Sequence, residues 1–168
     1  MLKLRTLKDI TKIIIHCSDS EFGDVKLIDQ WHTQRGWLGC GYHYVITNGM
    51  IDHGKPYNDQ HDGIIQQGRQ LRDIGAHCRG HNHDSIGICL IGKHHFTAKQ
   101  LYAALPDLCV MLMNELPITI ENIFGHRDFN IHKTCPNFDV KYLKLYLMCG
   151  GKVQPEFENG SKYEIPLN

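Results

Sequence analysis

The run Lys12-Ile13-Ile14-Ile15-His16-Cys17 places the tightest limit on what this chain can become. Three consecutive β-branched residues lose side-chain freedom in a helix and favour an extended backbone, from which side chains leave alternately to opposite faces. Being apolar on both faces, the run has to lie inside a sheet that is covered on both sides. Ser85 to Ile91, SIGICLI, has the same unbroken apolar character, and Ile118 to Phe124 reads as a third strand.

Helices fit between these strands. Asp24 is placed to cap a helix running from about Val25 to Arg35, with Leu27, Ile28 and Trp31 as its apolar stripe and Gly36 as its stop. Thr97 and Gln100 form a capping box, with Phe96 and Leu101 at the staple positions, so a helix begins there and runs to about Glu115. Pro106 predicts a kink inside it. Val140 to Met148 reads as the last helix. Asn48-Gly49 predicts a hairpin between Tyr42–Thr47 and Met50–His53, with Tyr42, Tyr44 and Ile46 on one face and His43 and Val45 on the other. Lys55 to Arg72 shows no period and reads as a surface excursion with room for a short helix. The expected architecture is a single α/β domain over residues 1–149, with a central mixed β-sheet flanked by helices on both faces. Residues 150–168, rich in turn formers, read as a loosely ordered tail.

Composition narrows the function. Lysine plus arginine balances aspartate plus glutamate at 18 each, which leaves no net positive field for holding nucleic acid. Seven cysteines, an odd set with no C-x-x-C pair, suit buried thiols in a reducing compartment rather than a disulfide framework. No apolar run approaches the roughly 20 residues of a membrane span. The opening MLKLRTLKDITK has no signal-peptide core, so synthesis and first residence in the cytoplasm are expected.

The chemistry concentrates in Gly125 to Phe138, GHRDFNIHKTCPNF. His126 and Cys135 are zinc-type ligands, and His16, at the end of the isoleucine run, is the best third. Such a set leaves a fourth position for water, which suits hydrolysis of an amide or ester. A thiolate softens the Lewis acidity of the metal, so a cation such as Lys133 is a useful oxyanion stabiliser. In a chain with twelve histidines and seven cysteines, however, such triples arise by chance. Residue types alone favour the structural reading, with His16 at a sheet edge, Cys135 a buried small hydrophobe and Lys133 a solvated charge.

Four segments taken together change that balance: IIIHCSDS at 13–20, GWLGCGYHYVI at 36–46, GAHCRGHNHDSIGICLIG at 75–92 and GHRDFNIHKTCPNFD at 125–139. In order and spacing the chain resembles the zinc-dependent type-two N-acetylmuramoyl-L-alanine amidases, which include the amidase-type lysozymes of T-odd phages and the peptidoglycan recognition proteins. The resemblance implies Zn2+ held by His16, His126 and Cys135, with Tyr42 and Lys133 as catalytic residues. It implies peptidoglycan as substrate, cut between the lactyl group of N-acetylmuramic acid and L-alanine. His77 matches a family histidine near the groove and, with Asn82 and Trp37, makes up the candidate substrate contacts; for His77 a hydrogen-bonded structural role is the alternative. Three segments differ in length from the phage enzymes: Lys55–Arg72 and the His126–Cys135 loop are longer, and Ile91–Thr97 is shorter.

The implied role is a monomeric phage or prophage endolysin, without membrane insertion, that reaches the wall through a separate pore. The other readings are a cytoplasmic muropeptide-recycling amidase, a peptidoglycan-binding protein, and a regulator inhibiting RNA polymerase, the last by family resemblance alone. Asn82-His83 in GHNHD is too short and too poorly supported by charge for an HNH nuclease. Cys17, by strand alternation, is expected on the face opposite His16 as a buried thiol, and Cys78, Cys89, Cys109 and Cys149 are read the same way.

Overall fold

In the computed structural model, residues 2–151 are described; most of the expected C-terminal tail, 152–168, lies outside them. The isoleucine run forms β1, Lys12–Cys17, and Ser85–Leu90 forms β4 beside it. The two strands pair in parallel, with Ile13 opposite Ile86 and His16 opposite Cys89. On its other side β1 pairs in parallel with β5, Ile123–Gly125, so it is doubly flanked as its composition demands. Strand β2, Tyr44–Asn48, runs parallel to β4, and β3, Asp62–Gln67, is an antiparallel edge. The sheet order is β3-β2-β4-β1-β5.

Helices cover both faces. Helix α1, Val25–Gln34, is capped as expected: Asp24 accepts from the Leu27 N–H at 2.9 Å, and Gly36 follows with φ +80°. The capping box at Thr97 forms both reciprocal bonds, Thr97 N–H to Gln100 Oε1 at 3.0 Å and Gln100 N–H to Thr97 Oγ1 at 3.1 Å. The helix then passes through a π-helical turn, Gln100–Ala104, before α2, Leu105–Glu115. The irregularity therefore precedes Pro106. That proline has no N–H for the Tyr102 carbonyl, and the Tyr146 hydroxyl donates to it at 3.0 Å. Helix α3 spans Val140–Met148, with Asp139 accepting from the Lys141 N–H at 2.9 Å.

The two sheet faces differ in kind. Ile13, Ile15, Ile86, Ile88 and Leu90 pack with Leu105, Leu108, Leu112 and Leu143 of α2 and α3 in a large aliphatic core. The opposite face carries a smaller cluster of Ile28, Cys40, Val45, Cys89 and Ile91, and it also carries the buried histidines.

Several expectations change. Asn48-Gly49 turns the chain, with Gly49 at φ +84°, but 50–53 is not a strand: the Met50 carbonyl accepts from Gly23 N–H at 2.7 Å. The antiparallel partner of β2 is β3, inside the supposed surface excursion. A half-exposed edge strand needs no apolar alternation, and Ile64 and Ile65 are 44% and 39% exposed. The short helix expected in that stretch is a 3-10 turn, Asp59–His61. Of Ile118–Phe124, only the last residues enter β5, since Ile120–Asn122 is a 3-10 turn. Tyr42 precedes β2, so alternation does not govern it: it packs with Val45 on the α1 face, away from Tyr44 and Ile46.

Arg5, only 5% exposed, ties the N-terminal arm to the segment leading into β4. It donates to the carbonyls of Leu71, Asn82, His83 and Ser85 at 3.0, 3.1, 2.7 and 2.8 Å. Each buried carbonyl left without a donor costs about 1–3 kcal/mol. Arg5→Ala should therefore lower stability in urea unfolding by about 3 kcal/mol or more. A loss under about 1 kcal/mol would show that water replaces the guanidinium at no great cost.

Candidate active site

His16 sits at the carboxyl end of β1, 1% exposed. Ile15 is paired with Gly125, so the next residue on each strand, His16 and His126, emerges at the same level. Their ring centroids are 4.6 Å apart. From His126 the chain loops out and back, with Arg127 N–H bonded to the Cys135 carbonyl at 2.9 Å and Lys133 N–H to the Asn130 carbonyl at 2.9 Å. At Gly125 a β-carbon would lie 2.8 Å from Pro136 Cδ, so the absence of a side chain there lets the returning loop close onto the strand. The Cys135-Pro136 peptide is cis.

One ligand atom each from His16, His126 and Cys135 lies within 4.8 Å of the others. His16 Nδ1 is 3.8 Å from Cys135 Sγ. Nitrogen and sulfur bound to one tetrahedral zinc are separated by about 3.6 Å, so the donor set fits that metal with little movement.

Both imidazoles are suited to donate lone pairs. Burial, reinforced by His126, holds the His16 pKa well below its ordinary value. His126 is lowered by burial and then by the positive charge of Lys133. Without a metal, the Cys135 thiol keeps its proton because it is hydrogen-bonded with Cys17 and buried. The Cys17 backbone N–H also donates to Cys135 Sγ at 3.3 Å, a bond that favours the thiolate. Cys17 is buried as expected, yet it touches the site. Cys135 reaches over the end of β1, where alternation no longer separates the faces.

The Tyr42 ring lies 5.1 Å from that of His16 and 5.4 Å from that of His32. Its phenol is raised well above the ordinary tyrosine value by burial and by the thiols of Cys89, Cys135, Cys17 and Cys40. It is thus a proton donor at neutral pH. Lys133 is exposed, near enough to His126 to shift it.

The other candidates are placed differently. His77, 9% exposed, has Nδ1 3.1 Å from His16 Nε2 and Nε2 3.5 Å from Ser85 Oγ. Asn82 Oδ1 accepts from the backbone N–H groups of His77 and Cys78, both at 2.8 Å. Trp37, 40% exposed, stacks near His32 with centroids 4.6 Å apart and lines a surface cavity with Leu38, Arg69 and Ala76. Of the candidates, then, His16, His126, Cys135 and Tyr42 come together, with His77 directly behind His16 and Lys133 exposed on the loop that follows His126. Arg5, Arg69, Ser85 and Gly87 escaped the sequence reading. Only the shared parity of Ser85, Gly87 and Cys89 on one strand could have flagged the last two.

The family model described as N-acetylmuramoyl-L-alanine amidase matches residues 6–138. The chain belongs to this family. It is 34% identical to the endolysin of Enterobacteria phage T3 over 137 residues, covering 77% of this chain and 82% of that protein. The structure of the N-acetylmuramoyl-L-alanine amidase LysC from Clostridium intestinale URNW superposes with a TM-score of 0.69 at 28% identity, covering 86% of this chain and 89% of that one. Drosophila PGRP-LB gives 0.64 at 22% identity over 97% of this chain and 91% of that one, a likeness of fold. Among the described residues of this amidase-family chain, no helix is long and apolar enough to cross a membrane.

Two more histidines are held neutral beside the site. His32 is lowered to about 4 by burial, Arg35 and Arg69, and its Nδ1 accepts from Gly41 N–H at 2.8 Å. His43 is lowered to about 3 by burial and Arg5, and its Nδ1 accepts from Gly87 N–H at 3.0 Å. In the unfolded chain both titrate near pH 6.5, at about their ordinary value. Below that pH the unfolded state binds more protons, so the stability they contribute is complete above about 6.5 and declines as pH falls toward 4. The denaturation midpoint should drop between pH 7 and 4.5; a flat profile would mean that neither ring is kept neutral.

Proposed function

We propose that the chain is a zinc-dependent N-acetylmuramoyl-L-alanine amidase that cleaves peptidoglycan between the lactyl group of N-acetylmuramic acid and the L-alanine of the stem peptide. The observation that carries this reading is the convergence of one thiol and two neutral imidazoles, at zinc-compatible separations, within a chain of this family. The endolysin of phage T3, similar over most of both chains, supports a lytic role.

His16, His126 and Cys135 would hold the metal, and Cys17 would steady the thiolate through its backbone N–H. Bound there, zinc supplies a Lewis acid that polarises the amide carbonyl and acidifies water at neutral pH. Tyr42 keeps its proton, so it orients the attacking oxygen or the carbonyl as a hydrogen-bond donor and does not act as a base. Lys133, fixed in the loop by its backbone bond to Asn130, brings a positive charge to the oxyanion that develops as the carbonyl is attacked.

Zinc-replete protein should release new L-alanine N-termini from purified cell walls, and His16→Ala and Cys135→Ala should lose both zinc and activity. If metal-replete protein releases none, while both variants still bind walls normally, the chain is a binder and the hydrolase reading fails. Lys133→Ala should retain zinc while kcat falls about 100-fold, as when one oxyanion contact is lost. Loss of zinc from Lys133→Ala would instead place Lys133 in the metal-holding structure.

A further inference from the structure

We propose that His77 is the positioning residue for His16: it accepts the hydrogen on His16 Nε2 and so turns the His16 Nδ1 lone pair toward Cys135 and the metal position. The inference rests on the metal reading above, and the direction of each bond follows from the one before it. The His81 carbonyl can only accept, and the Ser85 hydroxyl donates its single proton there. Ser85 Oγ therefore meets His77 Nε2, 3.5 Å away, with a lone pair, and Nε2 must be the nitrogen that carries hydrogen. A neutral imidazole has one N–H, so His77 Nδ1 is an acceptor. The group facing it at 3.1 Å is His16 Nε2, which must then donate. That leaves Nδ1 of His16 unprotonated, and it is the atom 3.8 Å from Cys135 Sγ.

The surroundings fix the His77 ring in place. A β-carbon on Gly87 would lie 2.5 Å from both Cγ and Cδ2 of His77, and one on Gly75 would lie 2.5 Å from Cδ2. The ring therefore occupies space that two glycines leave open, one of them in the middle of β4. Asn82 holds the His77 backbone N–H, and Arg5 holds the carbonyls of Asn82, His83 and Ser85. This relay ends on a peptide carbonyl instead of a carboxylate, so it orients the ligand without adding negative charge to the site.

Zinc affinity by chelator competition, together with the His16 tautomer in metal-free protein by long-range 15N–1H correlation, tests the proposal. Wild-type His16 should show the Nε2-protonated tautomer. His77→Phe keeps the ring volume but removes the acceptor, and should weaken zinc binding about 10–100-fold. His77→Gln, whose amide oxygen can accept from His16 and whose NH2 can donate to Ser85, should recover most of that loss. Ser85→Ala, which removes only the far end of the relay, should weaken binding a few-fold. Wild-type affinity in His77→Phe, no recovery in His77→Gln, or a wild-type His16 protonated on Nδ1 would each overturn the proposal. Should His77→Phe fail to fold, the wild-type tautomer and Ser85→Ala still decide it. Wild-type protein that takes up no zinc would remove the metal reading itself, whereas zinc uptake with unchanged affinity in the variants would remove only the role of His77.

Discussion

Parallel pairing holds β1 between β4 and β5 and sets both the core and the position of the site. It buries three isoleucines completely, which is why the strand is central. Its register also does the chemical placement: with Ile15 opposite Gly125 on one side and His16 opposite Cys89 on the other, the carboxyl ends of three strands meet around His16. Open α/β sheets place ligands at that edge because the chain leaves the strands there as loops. The loop from β5 back to Cys135 closes through the Arg127 N–H bond to the Cys135 carbonyl and the close approach of Pro136 to Gly125.

Division of labour between the two faces follows from the same strand. Ile13 and Ile15 face the aliphatic layer under α2 and α3, whereas His16 faces the layer that holds His43, His77 and Cys89. Burying so many polar rings is tolerable only if each is neutral and hydrogen-bonded. Backbone groups meet most of that demand: Gly87 and Gly41 donate to His43 and His32, and Asp73 offers a carbonyl to His43 Nε2. Arg5 and Arg69 satisfy carbonyls of the segments that carry these rings, including those of Cys40 and Ile74. Stability and site geometry thus share one network, and an acid pH that charges its histidines strains both.

Much of the fold was legible because its signals are local. The apolar runs at 12–17 and 85–91, the Asp24 cap and the Thr97–Gln100 box all act within a few residues, and each appears where its chemistry puts it. The hairpin reading failed for the converse reason. Asn48-Gly49 specifies a turn but not the strand that answers it, and the answering strand, β3, is an edge whose sequence carries no alternation. Likewise Tyr42 followed the alternation of β2 only on paper, since the strand begins two residues later. At the site, ligand chemistry could suggest His16, His126 and Cys135, but only the multi-segment resemblance set that grouping apart from chance, because parallel register brings together residues more than a hundred apart. For His77 a hydrogen-bonded structural role was open in the sequence, but its partners, and the inward bonds of Asn82, were not legible, since ring direction is set by tertiary packing against Gly87 and Gly75.

Charge ties these observations together. Two neutral imidazoles and one thiolate around a divalent cation leave a net positive centre, more electrophilic than a site with further anionic ligands would be. The features around the proposed centre keep that charge intact: the relay behind His16 is uncharged, Tyr42 is held as a neutral phenol, and Lys133 adds a second cation on the exposed side. The same Lys133 also depresses the His126 pKa, so in the proposed mechanism one cation both serves the oxyanion and keeps a ligand free to bind metal. A carboxylate in place of His77 would make His16 a stronger donor but would cancel part of the field on which Lys133 and the metal act. In the proposed mechanism, a neutral acceptor behind the ligand and a cation in front of it are therefore two sides of one electrostatic arrangement, suited to stabilising a negative charge that exists only while the amide is being broken.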